Sequence, residues 1–160
     1  TPDGFWGSGE AITLNVVDRR ASRPAGPIEA ITFQNISGVM EGAINLVADG
    51  KAGIRNVVLR NVAIRQAVGR FNGGKYDMRP TRFDLAPSPD AAGRANAFVK
   101  DEDGAVIGLV SYPGGQPALY SENVQELFLE AVRFERPSPL PEGWNEKEVV
   151  LRQGKSGSWS

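Results

Sequence analysis

One phrase is written three times in this chain, and it narrows the available folds more than any other feature. Ile28-x-x-Ile31-x-Phe33-x-Asn35-Ile36 recurs as Ile54-x-x-Val57-x-Leu59-x-Asn61-Val62, 26 residues further on. A worn third copy, Val124-x-x-Leu127-x-Leu129-x-Ala131-Val132, lies near the end. Short alternating runs of aliphatic residues repeated at such a period mark a solenoid. One unit cannot bury its own apolar face, so units must stack on their neighbours. A second phrase alternates with the first. Ala11-Ile12-Thr13-Leu14 is echoed by Ala43-Ile44-Asn45-Leu46 and, in part, by Ala118-Leu119-Tyr120. Two strand phrases in a fixed order imply at least two strands per turn of the solenoid, with room for a short third.

Along the chain, strands are expected over 11–17, 31–36, 42–47 and 57–64, with a bend at Gly38. Residues 68–117 break the rhythm. Pro80, Pro87 and Pro89 suggest an extended loop. Ala97-Phe98-Val99 and Val106 to Val110 then read as a hairpin joined through Asp103-Gly104. Ser138 to Asn145 is a Pro-rich connection, and 148–151 a last strand. Helical spacing is poor, and 19 glycines and 11 prolines in 160 residues interrupt too often for helices. The expected organisation is a run of coils over 1–152, an insertion at about 68–117, and a flexible tail at 153–160.

Composition closes several functional classes. Histidine is absent, which removes Ser-His-Asp triads, His general bases and His-ligated zinc. Cysteine is absent too, and with it disulfides and thiol nucleophiles. Carboxylate, Lys, Tyr, Ser and Thr remain for chemistry, and no metal or other cofactor is implied. A net charge of −1 gives no pull toward nucleic acid or acidic membranes. No apolar run is long enough to span a bilayer. The chain opens Thr1-Pro2-Asp3-Gly4, with neither an initiator Met nor the pattern of a signal peptide, so coding sequence upstream is expected.

Several segments carry a family resemblance. Gly26 to Ser37 and Glu41-Gly42-Ala43-Ile44-Asn45-Leu46 resemble the coil consensus of glycoside hydrolase family 28, the polygalacturonases, which share the pectin-lyase-like β-helix. Trp6-Gly7-x-Gly9-Glu10-Ala11-Ile12 is similar to a phrase in bacterial members just past the catalytic coils. Tyr76-Asp77-Met78-Arg79-Pro80 and Pro117-Ala118-Leu119-Tyr120-x-x-Asn123-Val124 resemble C-terminal segments of that family. The resemblance covers most of 5–152. It implies a right-handed parallel β-helix, inverting hydrolysis of pectic polysaccharide (galacturonan or rhamnogalacturonan), and an extracellular or periplasmic parent protein. The family's Asn-Thr-Asp, Asp-Asp, Gly-His-Gly and Arg-Ile-Lys phrases are all missing here. They lie upstream of the matching segments in the family. The chain therefore resembles the C-terminal coils of such an enzyme without its catalytic residues.

Four residues are candidates for contact with an acidic polysaccharide: Trp6 and Glu10, as a stacking face and a hydroxyl acceptor, and Tyr76 and Arg79, at the mouth of the insertion with Lys75. A Trp capping the solenoid end and a loop-pinning Tyr-Arg pair are the competing readings. Asn35 and Asn61 are expected to form an asparagine stack inside the turns, each amide pairing with backbone of neighbouring coils. Arg55, Arg60 and Arg65 read as solvated strand residues, although cationic forks for uronate carboxylates are the alternative. Glu126 and Glu130 read as a solvated face, about 13 Å apart at 3.3 Å per residue. The fold expectation is all-β. The expected partners are upstream β-helix coils and, through the open solenoid edge, further copies of the chain. A non-catalytic module that binds acidic polysaccharide or supports an assembly is the alternative to the hydrolase fragment.

Overall fold

The computed structural model describes residues 9–17, 24–49, 51–68, 75–77 and 109–153, with backbone alone at 17, 49, 75–77 and 109–111. These residues form strands and no helix. They are β1 (Thr13–Val17), β2 (Ile28–Met40), β3 (Ile44–Asp49), β4 (Ile54–Gln66), β5 (Lys75–Asp77), β6 (Leu109–Ser111), β7 (Leu119–Glu122), β8 (Val124–Glu135) and β9 (Val149–Arg152). Successive strands outside the β5–β6 pair alternate between two sheets, ordered β1-β3-β7-β9 and β2-β4-β8. Every ladder in both is parallel.

The repeated phrase sets the register. Ile28, Ile54 and Val124 share a column across β2, β4 and β8, as do Ile31, Val57 and Leu127, then Phe33, Leu59 and Leu129, then Ile36, Val62 and Val132. In the other sheet, Ile44, Leu119 and Val149 align, as do Leu14, Leu46, Ser121 and Leu151. Inward members of these columns pack between the two sheets as the main core. Alternation puts Asn45, Val47 and Tyr120 on the opposite face of the four-stranded sheet, where a second small cluster forms with Tyr112.

The long strands are not straight. Ala30 and Asn35 in β2, Asn56 and Asn61 in β4, and Glu126 and Ala131 in β8 all have φ between 51° and 58°. Flanking ladder pairs place these six residues in two columns, Ala30–Asn56–Glu126 and Asn35–Asn61–Ala131. Each left-handed residue turns the strand and interrupts the period of two, which is why inward positions fall at spacings of three, two and three. Asparagine tolerates this conformation because its short amide bonds locally; alanine and glutamate carry a steric cost of about 1–2 kcal/mol there. The expected bend at Gly38 is absent, because β2 runs on to Met40 and turns at Ala30 and Asn35 instead. The asparagine stack exists, but its placement is corrected. Both residues are exposed, and Asn61 Nδ2 donates to Asn35 Oδ1 at 2.8 Å, side chain to side chain. The left-handed backbone points the amide outward, away from neighbouring backbone.

This ladder stops at Ala131. Ala131→Asn should raise stability by about 1 kcal/mol, by easing the left-handed strain and adding a bond to Asn61. Asn61→Ala should lower it by about 1–2 kcal/mol on the same grounds. Urea midpoints at constant m-value measure both.

Of the expected hairpin, residues 109–110 fall in β6, which pairs antiparallel with β5: Lys75 faces Ser111, Tyr76 faces Val110, and Asp77 faces Leu109. The strand expected at 97–99 lies outside the described residues. Gln153, at the start of the expected tail, donates Nε2 to the Val124 carbonyl at 3.0 Å.

Candidate functional site

Two polar centres stand out, one on the outer face of the four-stranded sheet and one where the two sheets meet. On the outer face, two columns run Thr13–Asn45–Tyr120–Val150 and Asn15–Val47–Glu122–Arg152. Asn45 is fully buried, and its Oδ1 accepts from the Tyr112 hydroxyl at 2.6 Å. The Tyr112 and Tyr120 rings meet edge to face, 5.4 Å apart at 72°, a geometry that sets a positive ring edge against a negative ring face. Tyr120 donates its hydroxyl to Glu122 Oε2. The Asn15 side-chain amide and Asn45 Nδ2 are buried without a hydrogen-bond partner among the described residues. These polar groups are enclosed and not open to solvent, with the Asn45 oxygen and the Tyr120 hydroxyl already committed to partners within the chain.

Burial raises the Tyr120 phenol to about 12, and its bond to the negative Glu122 adds to the rise, while Arg152 opposes it. The folded state thus holds this proton more tightly than the unfolded chain, whose tyrosine titrates near 10.0. The resulting stabilisation, on the order of 1–2 kcal/mol, is complete below pH 10 and is lost as pH rises through about 12. Thermal melts between pH 9 and about 12 should show this fall, and Tyr120→Phe should flatten it.

At the junction of the sheets, Met40 and Gln66 pair in the last column of the β2–β4 ladder, and Arg136 directly follows the end of β8. Gln66 is 1% exposed, yet its amide is satisfied. Nε2 donates to the Gly42 and Pro117 carbonyls at 2.7 and 2.8 Å, and Oε1 accepts from Arg136 Nε at 3.0 Å. Arg136 continues outward, donating Nη1 to the Asn145 carbonyl and Nη2 to the Gln116 carbonyl, with its guanidinium 5.6 Å from the Trp144 ring centre. Burial lowers the Arg136 pKa, and the charge of Glu148 opposes the shift. The clasp ties turn carbonyls from three repeats to one side chain pair.

The four residues singled out from the sequence are not brought together among the described residues. Trp6 and Arg79 lie outside them. Tyr76 sits on β5 opposite Val110, with backbone alone described. Glu10 is half-buried just before β1 and already has an interaction partner. The arginines are partly committed: Arg55 pairs with Glu29, and Arg60 Nε bonds Glu130 Oε2 at 2.5 Å. That bond raises the Arg60 pKa and lowers that of Glu130. A shallow groove of about 280 Å³ beside Pro27, Ala52 and Gln125 is lined by the Arg55–Glu29 pair, so its cation is already neutralised. Glu126 occupies a left-handed bend, which breaks its shared parity with Glu130. Among the described residues, no group of three or more His, Cys, Asp or Glu could hold a metal ion.

Asn15, Asn45, Tyr112, Tyr120, Gln66 and Arg136 were missed in the sequence. The available signal was a polar residue in a buried register position, as at Asn45 between Ile44 and Leu46. No protein-family model, curated protein or solved structure matches this chain.

Proposed function

We propose that the chain forms the C-terminal coils of a right-handed parallel β-helix belonging to a polygalacturonase-like glycoside hydrolase. Catalysis on pectic polysaccharide would then reside in coils upstream. The parallel alternation of strands between two sheets supports the β-helix part of this reading. The observation that carries it is the exposure of core columns at the β2 end. Ile31, Phe33 and Ile36 are half-buried where their partners Val57, Leu59 and Val62 are fully buried. An interior column left half-open is what a stack shows where further repeats belong. Trp6, Glu10, Tyr76 and Arg79 are the proposed contacts with polysaccharide, and the parent protein would be exported.

The experiment is an assay of reducing ends released from polygalacturonate, by this chain and by the chain extended with its upstream coding sequence. Activity confined to the extended protein is expected. Activity of the 160 residues alone would place catalysis in this chain, and an inactive extended protein would remove the hydrolase reading. A second reading, a non-catalytic module for structural assembly, is favoured by one observation: Leu129 and Phe128 are 37% and 48% exposed at the β8 end. Open edges at both ends suit a building block as well as an enzyme fragment.

A further inference from the structure

We infer that the end of the stack formed by β1 and β2 is an acceptor surface for one more parallel repeat, keyed by the Asn35 side chain. This rests on the β-helix part of the reading above and not on its hydrolase part. Three observations define the partner. First, the asparagine ladder has a direction. Asn61 donates to Asn35 Oδ1, which leaves the Asn35 amide N–H groups to be met by an acceptor on the far side of β2. Second, the half-buried Ile28, Ile31, Phe33 and Ile36 ask for aliphatic or aromatic residues at the same spacings. Third, any strand in register with β2 must turn at the Ala30 and Asn35 columns, where φ is 55° and 58°.

The partner is therefore a strand with apolar residues at positions one, four, six and nine and an asparagine at position eight. Asn61 in β4 meets this description against β2. The third copy does not, because Ala131 has no side-chain acceptor. Geometry also disfavours a second copy stacked head to tail. The four-stranded sheet ends on β9, one strand beyond β8. A following copy cannot set its β1 on β9 and its β2 on β8 at once. The surface suits a further repeat of this phrase rather than the opposite end of the same chain.

The absence of cysteine makes a disulfide test clean. The full chain carrying Gln34→Cys is mixed, under mild oxidation, with a synthetic peptide of residues 53–67 carrying Arg60→Cys. Gln34 and Arg60 share an outward, exposed column. Adjacent strands stand about 4.8 Å apart, within disulfide reach. A mixed disulfide is expected, with a yield at limiting peptide about fivefold lower when the peptide also carries Asn61→Ala. No mixed disulfide, or equal yields with and without Asn61, would overturn the inference. So would a preferred disulfide between two copies of the chain, which would make the second copy the occupant. None of these outcomes depends on pectin hydrolysis.

Discussion

Gln66→Ala should destabilise the fold by about 3 kcal/mol, although Gln66 is polar and contacts no solvent. Its two N–H groups satisfy the Gly42 and Pro117 carbonyls, and its oxygen holds Arg136. Truncation leaves two buried carbonyls without their donor and removes one of the partners that orient the guanidinium. Each orphaned buried group costs about 1–3 kcal/mol, which water entering the space relieves only in part. Arg136→Ala should cost a similar amount, by freeing the Asn145 and Gln116 carbonyls and unstacking Trp144. The two changes should be strongly non-additive, because they break one network. Arg136→Lys should not rescue the loss, since an ammonium cannot span three acceptors held in a planar fork. Urea denaturation of the two single variants and the double variant measures all of this. Additive losses would show that Gln66 and Arg136 act separately.

Leu59→Ala should cost about 3–4 kcal/mol, and Leu129→Ala, in the same column, only about 1 kcal/mol. Leu59 is 0% exposed between Phe33 on one side and Leu129 on the other. Its removal opens a cavity that strands on both sides hold apart. Leu129 is 37% exposed on the outermost strand of its sheet, so truncation there sheds area already partly in water. The contrast follows from position in the stack and not from residue type, which is the same. Equal losses at the two positions would mean that the β8 edge is covered in solution.

The core was legible because the phrase repeats as a unit. Ile54, Val57, Leu59 and Val62 were written as one apolar series, and all four are fully buried in register with their copies. The left-handed columns were half legible. Asn35 and Asn61 advertise such a conformation, but Ala30, Asn56 and Glu126 share no side-chain chemistry. There the ladder on either side imposes the backbone, and the residue only has to endure it. The clasp was not legible at all. Gln66 and Arg136 stand 70 residues apart with nothing in the repeated phrase to link them, and the partners of Gln66 are carbonyls 24 and 51 residues away. Hydrogen bonds to remote backbone leave no period in a sequence. The tyrosine pair on the outer sheet face was hidden for the same reason, since Tyr112 precedes β7 and its partner Asn45 lies 67 residues back.

Among the described residues, β2 and β8 are the free edges of a stack of parallel repeats. Residue-resolved amide hydrogen exchange by NMR tests this arrangement. In a parallel ladder, alternate residues bond to opposite neighbours. A central strand is therefore protected at every amide outside its bends, whereas an edge strand is protected at only one residue in two. Continuous protection through β4, with alternating protection in β2 and β8, is the predicted result. Continuous protection through β2 and β8 as well would contradict the free edges, and with them the acceptor surface at Asn35.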